Sequence, residues 1–366
     1  MNCTISSDRS GALDLMGRVL RDGGEIASEY PLVFDERFSG RVLTAHTEEQ
    51  VSSACAILSR DFVVQPGLRV KGGLIGSVAT DEAYRGKGLA TRVLVEAEAA
   101  LQIEGCAFSL LWSQDPDFYL RRGYGPIGSE VDIVVTGDIA EALPLGEGIR
   151  EMDDRDAAAV HALYQAHGSR VDRTLEETAA LLDCPAMTKL VIERDGELLA
   201  YACVGRGGDF VNTLHEWGGR TIEVLALVRE LAQRAFDGAP EGVEPALLMM
   251  APSGASDVID ALEALGAPMR ASMLGLGKIL DRAAAAEVLD RLIGSSGEVD
   301  LAEVEGAQRF RLRSGDREGL LDDEGALALL CGVPEVHEDV QGFLTEFGFE
   351  GAPLPLQPFA WGLDSI

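Results

Sequence analysis

The sequence lacks any apolar run approaching the roughly 20 residues a membrane-spanning helix needs, so none is expected. Its start, MNCTISSDRS, has no basic region followed by an apolar core, and no signal peptide is expected. Cysteine is sparse and scattered. Cys3, Cys55, Cys106, Cys184, Cys203 and Cys331 lie far apart, with no CxxC and no Cys/His spacing that suits zinc, so no metal site is expected. Four of the six sit in apolar segments and read as buried thiols in a reducing, cytoplasmic setting. Positive charge is also short. Against 61 Asp and Glu stand 31 Lys and Arg, a net charge of −30, which argues against DNA or RNA as a partner. The acidic excess suits a cationic amine substrate drawn in electrostatically. It serves equally well as a solubility device, since no local cluster marks a binding face.

What is present is a globular composition, 46% hydrophobic and 25% charged over 366 residues, with room for two or three domains. The most informative stretch is Gly76 to Tyr124. A strand-like run, Leu74 to Thr80, leads into Arg85-Gly86-Lys87-Gly88-Leu89-Ala90 and then into a helix with apolar positions at Leu89, Val93, Leu94, Ala97, Ala100 and Leu101. Gly86 and Gly88 let the backbone approach a ligand closely. No Ser, Thr, Asp or Asn immediately precedes the helix, so its first N–H groups are free for a phosphate. Such a turn is as often a plain turn as an anion site. The sequel narrows the choice: a buried strand, Ala107 to Trp112, followed by Asp117-Phe118-Tyr119-Leu120-Arg121-Arg122-Gly123-Tyr124.

This order resembles the GNAT family of acyl-CoA-dependent N-acetyltransferases over about 50 residues. In that family an Arg-Gly-x-Gly-Leu/Ala loop cradles the coenzyme A pyrophosphate, and a Phe-Tyr-x-x-x-Gly-Tyr/Phe segment follows. The resemblance implies acetyl-CoA as cosubstrate. Arg85, Gly86, Lys87, Gly88, Leu89 and Ala90 would hold the pyrophosphate, with Thr91 adding a hydroxyl, and Ser77, Val78 and Ala79 would offer backbone groups to the pantetheine arm.

The rest of the chain is read around this stretch. Before it, a helix (11–22) and strands 41–45, 51–64 and 68–80 are expected, the last two as a hairpin across Gln65-Pro66-Gly67. A strand from Ile127 to Val135 follows, and Asp138 to Gly148 reads as a linker. The segment from Ile149 repeats the element order and ends on one strand, Met269 to Leu280. FSLLWSQDPDFYLRRGYGP in the first half parallels ALLMMAPSGASDVIDALEALGAP in the second. The repeat has no Arg-Gly-x-Gly loop, and aligning Gly123 with Gly266 puts Leu262 where Tyr119 stands. The expected fold is thus α/β (α+β). It comprises two GNAT-like mixed-sheet domains in tandem, 1–137 with the acetyl-CoA site and 149–281 without it, plus a small α+β domain, 282–366. This organisation resembles the enhanced-intracellular-survival type of acetyltransferase, whose tail resembles sterol carrier proteins and which forms large homo-oligomers.

The chain's last residues are apolar. Phe359, Trp361, Leu363 and Ile366 are expected to dock on the body of the protein. In the family it resembles, the C-terminal carboxylate acts as base in the first domain's active site. That makes Ile366 the candidate base, with simple packing as the alternative.

Acetyl transfer to an amine needs a path for the amine's proton, donors for the thioester oxygen and a proton for the leaving thiolate. Tyr119 matches the family's general acid, or is a core tyrosine with a satisfied hydroxyl. Further candidates are His215 and Glu216 at a strand end, where His215 has a suitable ordinary pKa. Trp217 is a candidate cation–π wall for an amine, and Ser113 either touches substrate or caps the next helix, as does Asp115. Glu29, Tyr30 and Phe34 lie where this fold often builds its acceptor pocket, a topological analogy. The expected acceptor is a small-molecule or peptide amine. Two other functions compete: a non-catalytic acyl-CoA sensor or lipid-binding module, and an aminoacyl transferase working with charged tRNA, which the charge and the intact loop oppose.

Overall fold

The computed structural model describes residues 3–47, 50–238, 245–333, 337–349 and 352–366. The strands of the first segment are β1 (Cys3–Ser6), β2 (Arg41–Thr47), β3 (Gln50–Gln65), β4 (Leu68–Thr80), β5 (Phe108–Leu111), β6 (Gly125–Ile127) and β7 (Glu130–Val135). The second segment contributes β8 (Ile149–Glu151), β9 (Arg170–Val171), β10 (Thr188–Arg194), β11 (Glu197–Arg206), β12 (Asp209–Gly219), β13 (Leu247–Pro252), β14 (Met269–Ser272) and β15 (Gly275–Ile279). A third, β16 (Glu298–Val304), β17 (Ala307–Ser314) and β18 (Arg317–Leu321), forms a separate antiparallel meander.

The β3–β4 hairpin forms as the Pro-Gly turn predicts, with Gly67 in the left-handed region. The helix Leu89–Ile103 buries Leu89, Val93, Leu94, Ala97 and Leu101, the expected stripe, and packs over β3 and β4. In the second segment the helix Thr221–Asp237 takes the same place over β11 and β12. Leu175–Leu182 opens on a capping box between Thr174 and Glu177.

The two mixed sheets repeat each other. The first runs β1-β2-β3-β4-β5-β15-β6 and the second β8-β10-β11-β12-β13-β7-β14. The slot beside β5 is filled by β15 from the second segment, and the slot beside β13 by β7 from the first. The expected continuous strands 127–135 and 269–280 are therefore each two strands, and they pass between the sheets in opposite directions. The first bends at Gly128, whose φ of 66° favours glycine. The second breaks at 273–274. Neither 1–137 nor 149–281 is a self-contained sheet, because alternation in a sequence specifies a strand's faces and not its partner.

The expected linker 138–148 is also corrected. Gly137–Ala142 is helical, and Ile139, Ala140 and Leu143 are buried. Ile139 and Leu143, four apart, make a short apolar stripe among the Gly and Pro residues. Arg229 fastens it by donating to the carbonyls of Glu141 and Leu143, both at 2.6 Å. The third segment adds the helices Arg282–Ile293, Asp323–Cys331 and His337–Phe347 to its meander, an α+β unit as expected. Cys55, Cys106, Cys184, Cys203 and Cys331 are free and buried. Among the described residues no helix is long and apolar enough to cross a membrane, and no group of acidic, His and Cys side chains could hold a metal.

Candidate active site

β4 and β5 pair in parallel only from Gly72–Phe108 to Leu74–Leu110. Beyond this point β4 continues to Thr80 while β5 stops at Leu111, so the sheet opens. On its other side β4 slips against β3. Ala79 faces Ala54, Gly76 faces Ala56, and Ser77 and Val78 together oppose Cys55. This is a bulge, with Ser77 at a φ of 49°. It takes the main-chain groups of Ser77 and Val78 out of the ladder at the mouth of the opening.

A cleft of about 800 Å³ fills the gap. One wall is Ile75, Gly76, Ser77 and Val78; the other is Trp112, Ser113, Gln114 and Asp115. Tyr119 stands on the short helix Pro116–Leu120 and lines the cleft. Its ring is held edge-on by Phe118 and Tyr124, at 4.9 and 5.6 Å. The residue is only 6% exposed, yet among the described residues its hydroxyl has no hydrogen-bond partner. The ring is buried and the hydroxyl faces the cleft, where it is available to whatever enters. Burial, followed by the nearby Cys55 and Asp115, pushes the phenol up to about 12, and it carries its proton across the physiological range.

Opposite Tyr119 lies Ile366, half-buried. Its main chain rests on Gly76, where a Cβ would lie 1.6 Å from the Ile366 carbonyl oxygen. The end of the cleft is closed by a cluster the sequence did not disclose. Tyr30 donates a short hydrogen bond to Asp209, and Arg21 binds Asp209 at 3.0 Å. Arg206 stacks over the Tyr30 ring at 4.4 Å. Asp209 and Phe210 come from the β11–β12 hairpin of the second segment, a contact 179 residues distant from Tyr30 in sequence. No local pattern could signal it.

The loop 85–88 is exposed and stands outside the cleft lining, at the start of the helix. Gly86 and Gly88 have φ of 73° and 77°, with open space above each. Gly88 is the N-cap and no side chain caps the helix. The loop thus presents uncapped N–H groups to an anion, as its composition implies. Leu89 points its side chain into the core, leaving its N–H as what it can offer. Lys87 folds back, donating to the Ala83 carbonyl at 2.8 Å and lying over Tyr84. Thr91 accepts two hydrogen bonds from Arg122, at 3.1 and 2.7 Å. Arg122, part of the quoted Phe-Tyr-Leu-Arg-Arg motif, thereby ties the helix carrying Tyr119 to the loop's helix.

Except for Ser113, the other candidates lie away from the cleft. Ala79 is buried in the ladder, and its carbonyl accepts from Ser53. Glu29 is buried and paired with Arg21. Phe34 belongs to the core under the Arg9–Leu20 helix. His215 is 1% exposed, with its Nε2 on the Gly205 carbonyl at 3.0 Å, and burial pushes its pKa down to about 3. It faces the interior and not a substrate. Glu216 is fully buried against Arg173. Trp217 donates to the Met250 carbonyl and packs edge-on to Trp361, in place of an amine. Ser113 lines the cleft and accepts from the Asp115 N–H.

The second segment lacks the loop and the tyrosine as its sequence implies. Gly123 and Gly266 have φ of 80° and 81°. Tyr124 donates its N–H to the Tyr119 carbonyl and Ala267 donates to that of Leu262. The two turns are built alike, and Leu262 occupies the tyrosine's place in the core.

Residues 7–127 match the sequence profile of the family described as acetyltransferase (GNAT) domain. No curated protein matches the chain. Among solved structures, a GCN5-related N-acetyltransferase from Anabaena variabilis is similar over 100% of both chains, with a TM-score of 0.67 and 14% identity. Eis1 from Mycobacterium abscessus is similar over 98% of this chain and 99% of its own, with a TM-score of 0.59 and 15% identity. A probable N-acyltransferase from Enterococcus faecalis V583 is similar over 88% and 86%, at 0.63 and 14%. At these identities the likeness is one of fold. Residues 7–127 thus match a GNAT acetyltransferase domain, and the chain as a whole shares the fold of tandem GNAT-like structures.

Proposed function

We propose that the protein is an acetyl-CoA-dependent N-acetyltransferase acting directly on a primary amine of a small or peptide acceptor. The observation that carries this reading is the Tyr119 hydroxyl, without a protein partner among the described residues and open to a cleft at the splayed end of β4 and β5. The residues suit the cosubstrate. Arg85 to Ala90 offer an uncapped helix start and two left-handed glycines to a pyrophosphate, and the bulged Ser77 and Val78 offer main-chain groups to an amide-bearing arm. Bound there, acetyl-CoA supplies an activated acetyl thioester.

The chain's own residues divide the remaining work. Tyr119, protonated at neutral pH, donates its proton to the sulfur that departs. The α-carboxyl of Ile366, against Gly76, is the base that takes the proton of the attacking amine. Asp115 gives its wall of the cleft a negative charge suited to a cationic acceptor; the charge of Asp209 is matched by Arg21. Ser113 and Tyr30 are the polar groups nearest that acceptor's path.

The test is thiol release from acetyl-CoA in the presence of polyamines, aminoglycosides and lysine peptides. Turnover with at least one amine class is expected. Acetyl-CoA binding without thiol release across the panel favours a sensor. Absence of coenzyme A binding overturns the assignment.

A further inference from the structure

The opening between β4 and β5 has a counterpart in the second sheet. β12 and β13 pair in parallel only at Thr213–Leu248 and Leu214–Met249, and β12 then runs on to Gly219 paired with β11 alone. This second gap is filled by residues 359–364 of the chain itself. Trp361 is wholly buried, with its ring 4.3 Å from that of His167 and edge-on to Trp217 at 5.2 Å. Gly362 lies directly on His215, where a Cβ would come within 2.4 Å of the imidazole.

The polar contacts at this place are more directional than packing requires. The Asp364 carboxylate, 2% exposed, accepts from Arg173 Nε at 2.6 Å, Tyr164 Oη at 2.9 Å and the Trp361 N–H at 3.2 Å. Arg173 is itself fully buried and is held in plane by a two-point pair with Glu216 of β12, at 3.0 and 2.7 Å. Next along the chain, Arg206 donates to the carbonyls of Gly362 and Ser365, at 2.9 and 3.1 Å, and to the Ser365 hydroxyl at 2.9 Å. One residue later Ile366 meets Gly76 in the cleft of the first sheet. Only Ser365 separates the Asp364 anchor from Ile366, a reach of about 7 Å when extended, so fixing one leaves little freedom to the other.

We propose that the gap in the second sheet is a clamp for the chain's own 359–364 segment. In it, Asp364, acting through Arg173, is a positioning residue that sets Ile366 in the cleft of the first sheet. The clamp accounts for a second copy that keeps the parallel-strand gap while lacking the loop and the tyrosine. Its effect on turnover rests on the proposed acetyl-transfer reading; the seating of the segment does not.

The test uses the full chain with Asp364→Asn. Arg173 then remains paired with Glu216, a neutral buried couple, while one charge-assisted bond to the segment is lost. Backbone hydrogen exchange over 359–366 and chymotrypsin cutting after Phe359 and Trp361 are measured beside kcat and KM for acetyl-CoA. Exchange and cutting are expected to rise about tenfold, the scale of one lost charge-assisted hydrogen bond. A tenfold drop in kcat with acetyl-CoA KM held within twofold is expected to accompany them. Unchanged exchange and cutting in a folded variant overturn the clamp; a loosened segment with unchanged kcat overturns the positioning role. Should Asp364→Asn fail to fold, Arg206→Lys, which keeps the charge and loses the multiple grip on Gly362 and Ser365, carries the same measurements and the same outcomes. A wild-type protein that turns over no amine defeats the functional reading, and the exchange arm still decides the clamp.

Discussion

Replacing Gly76 by alanine isolates the contact between β4 and Ile366. Gly76 has no need of glycine's backbone freedom, since it is not among the residues with positive φ, and it pairs in register with Ala56. What it provides is space. A Cβ at this position would lie 1.6 Å from the Ile366 carbonyl oxygen and 2.2 Å from its carbon, where ordinary contact begins at 3.4 Å. The oxygen must therefore retreat by about 1.8 Å. At Gly76 β4 is held in its ladder with β3 while the chain end has only its own short anchor, so the chain end is the part that moves. Overpacking of this kind costs about 1–3 kcal/mol, here relieved in part because Ile366 is half-buried. A catalytic group moved by about 1 Å can lose about 100-fold in rate. Gly76→Ala is thus expected to lower kcat about 100-fold, change acetyl-CoA affinity by no more than about threefold and melt within a few degrees of wild type. Thiol-release kinetics, calorimetric titration and a thermal melt measure the three quantities. A kcat within twofold of wild type would refute the reasoning that Ile366 is placed for chemistry.

The other expectations can be checked alongside. Tyr119→Phe removes a hydroxyl that pairs with nothing among the described residues, so stability should hold while kcat falls about 100-fold or more; an unchanged kcat in thiol-release assays would make Tyr119 structural. Gly88→Val forces a β-branched side chain to φ 77° and should abolish measurable coenzyme A binding by calorimetry, the left-handed conformation costing about 1–2 kcal/mol before any lost contact; retained affinity would refute the loop's role. Adding residues after Ile366 should reduce kcat while sparing acetyl-CoA binding, and a fully active extended chain would dismiss its carboxyl as base. His215 is held neutral, with a folded pKa of about 3 against 6.5 unfolded. The unfolded chain gains a proton as pH falls through 6.5 and the folded one does not. This contribution to stability is complete above pH 6.5 and declines down to pH 3, by about 2 kcal/mol between pH 7 and pH 5. Urea melts of wild type and His215→Gln should show a shallower acid decline in the variant.

The parts of this molecule that are local in sequence were legible in it. The apolar stripe from Leu89 to Leu101, the Pro-Gly turn at 66–67 and the absence of a cap before Leu89 each follow from neighbouring residues, and each stands in the structure. The matching turns at Gly123 and Gly266 were visible for the same reason. What escaped notice depends on distant pairings. Strand alternation at 130–135 and 275–279 could not name its partner sheet, so the exchange of β7 and β15 was hidden. The Tyr30–Asp209–Arg21 cluster joins residues brought together only by the second segment's hairpin. His215 and Trp217 were misplaced toward a substrate because a strand-end position says nothing of what else packs there. The intruder was the chain's own Trp361-Gly362, whose apolar character was legible and whose destination was not.

The exchange of β7 and β15 bears on how such a chain can change over evolutionary time. A gene that has duplicated and left one copy without its chemistry would ordinarily be free to discard that copy. Here deletion of the second half would strip a strand from between β5 and β6 and expose the edge next to Tyr119, while the surviving half would carry a stray strand with no sheet to join. Selection for whatever the first half does is therefore also selection for a folded second half. During synthesis, too, the first sheet cannot close until β15, ending at Ile279, has been made, so the cleft beside β5 takes shape only after the whole second segment has been synthesised.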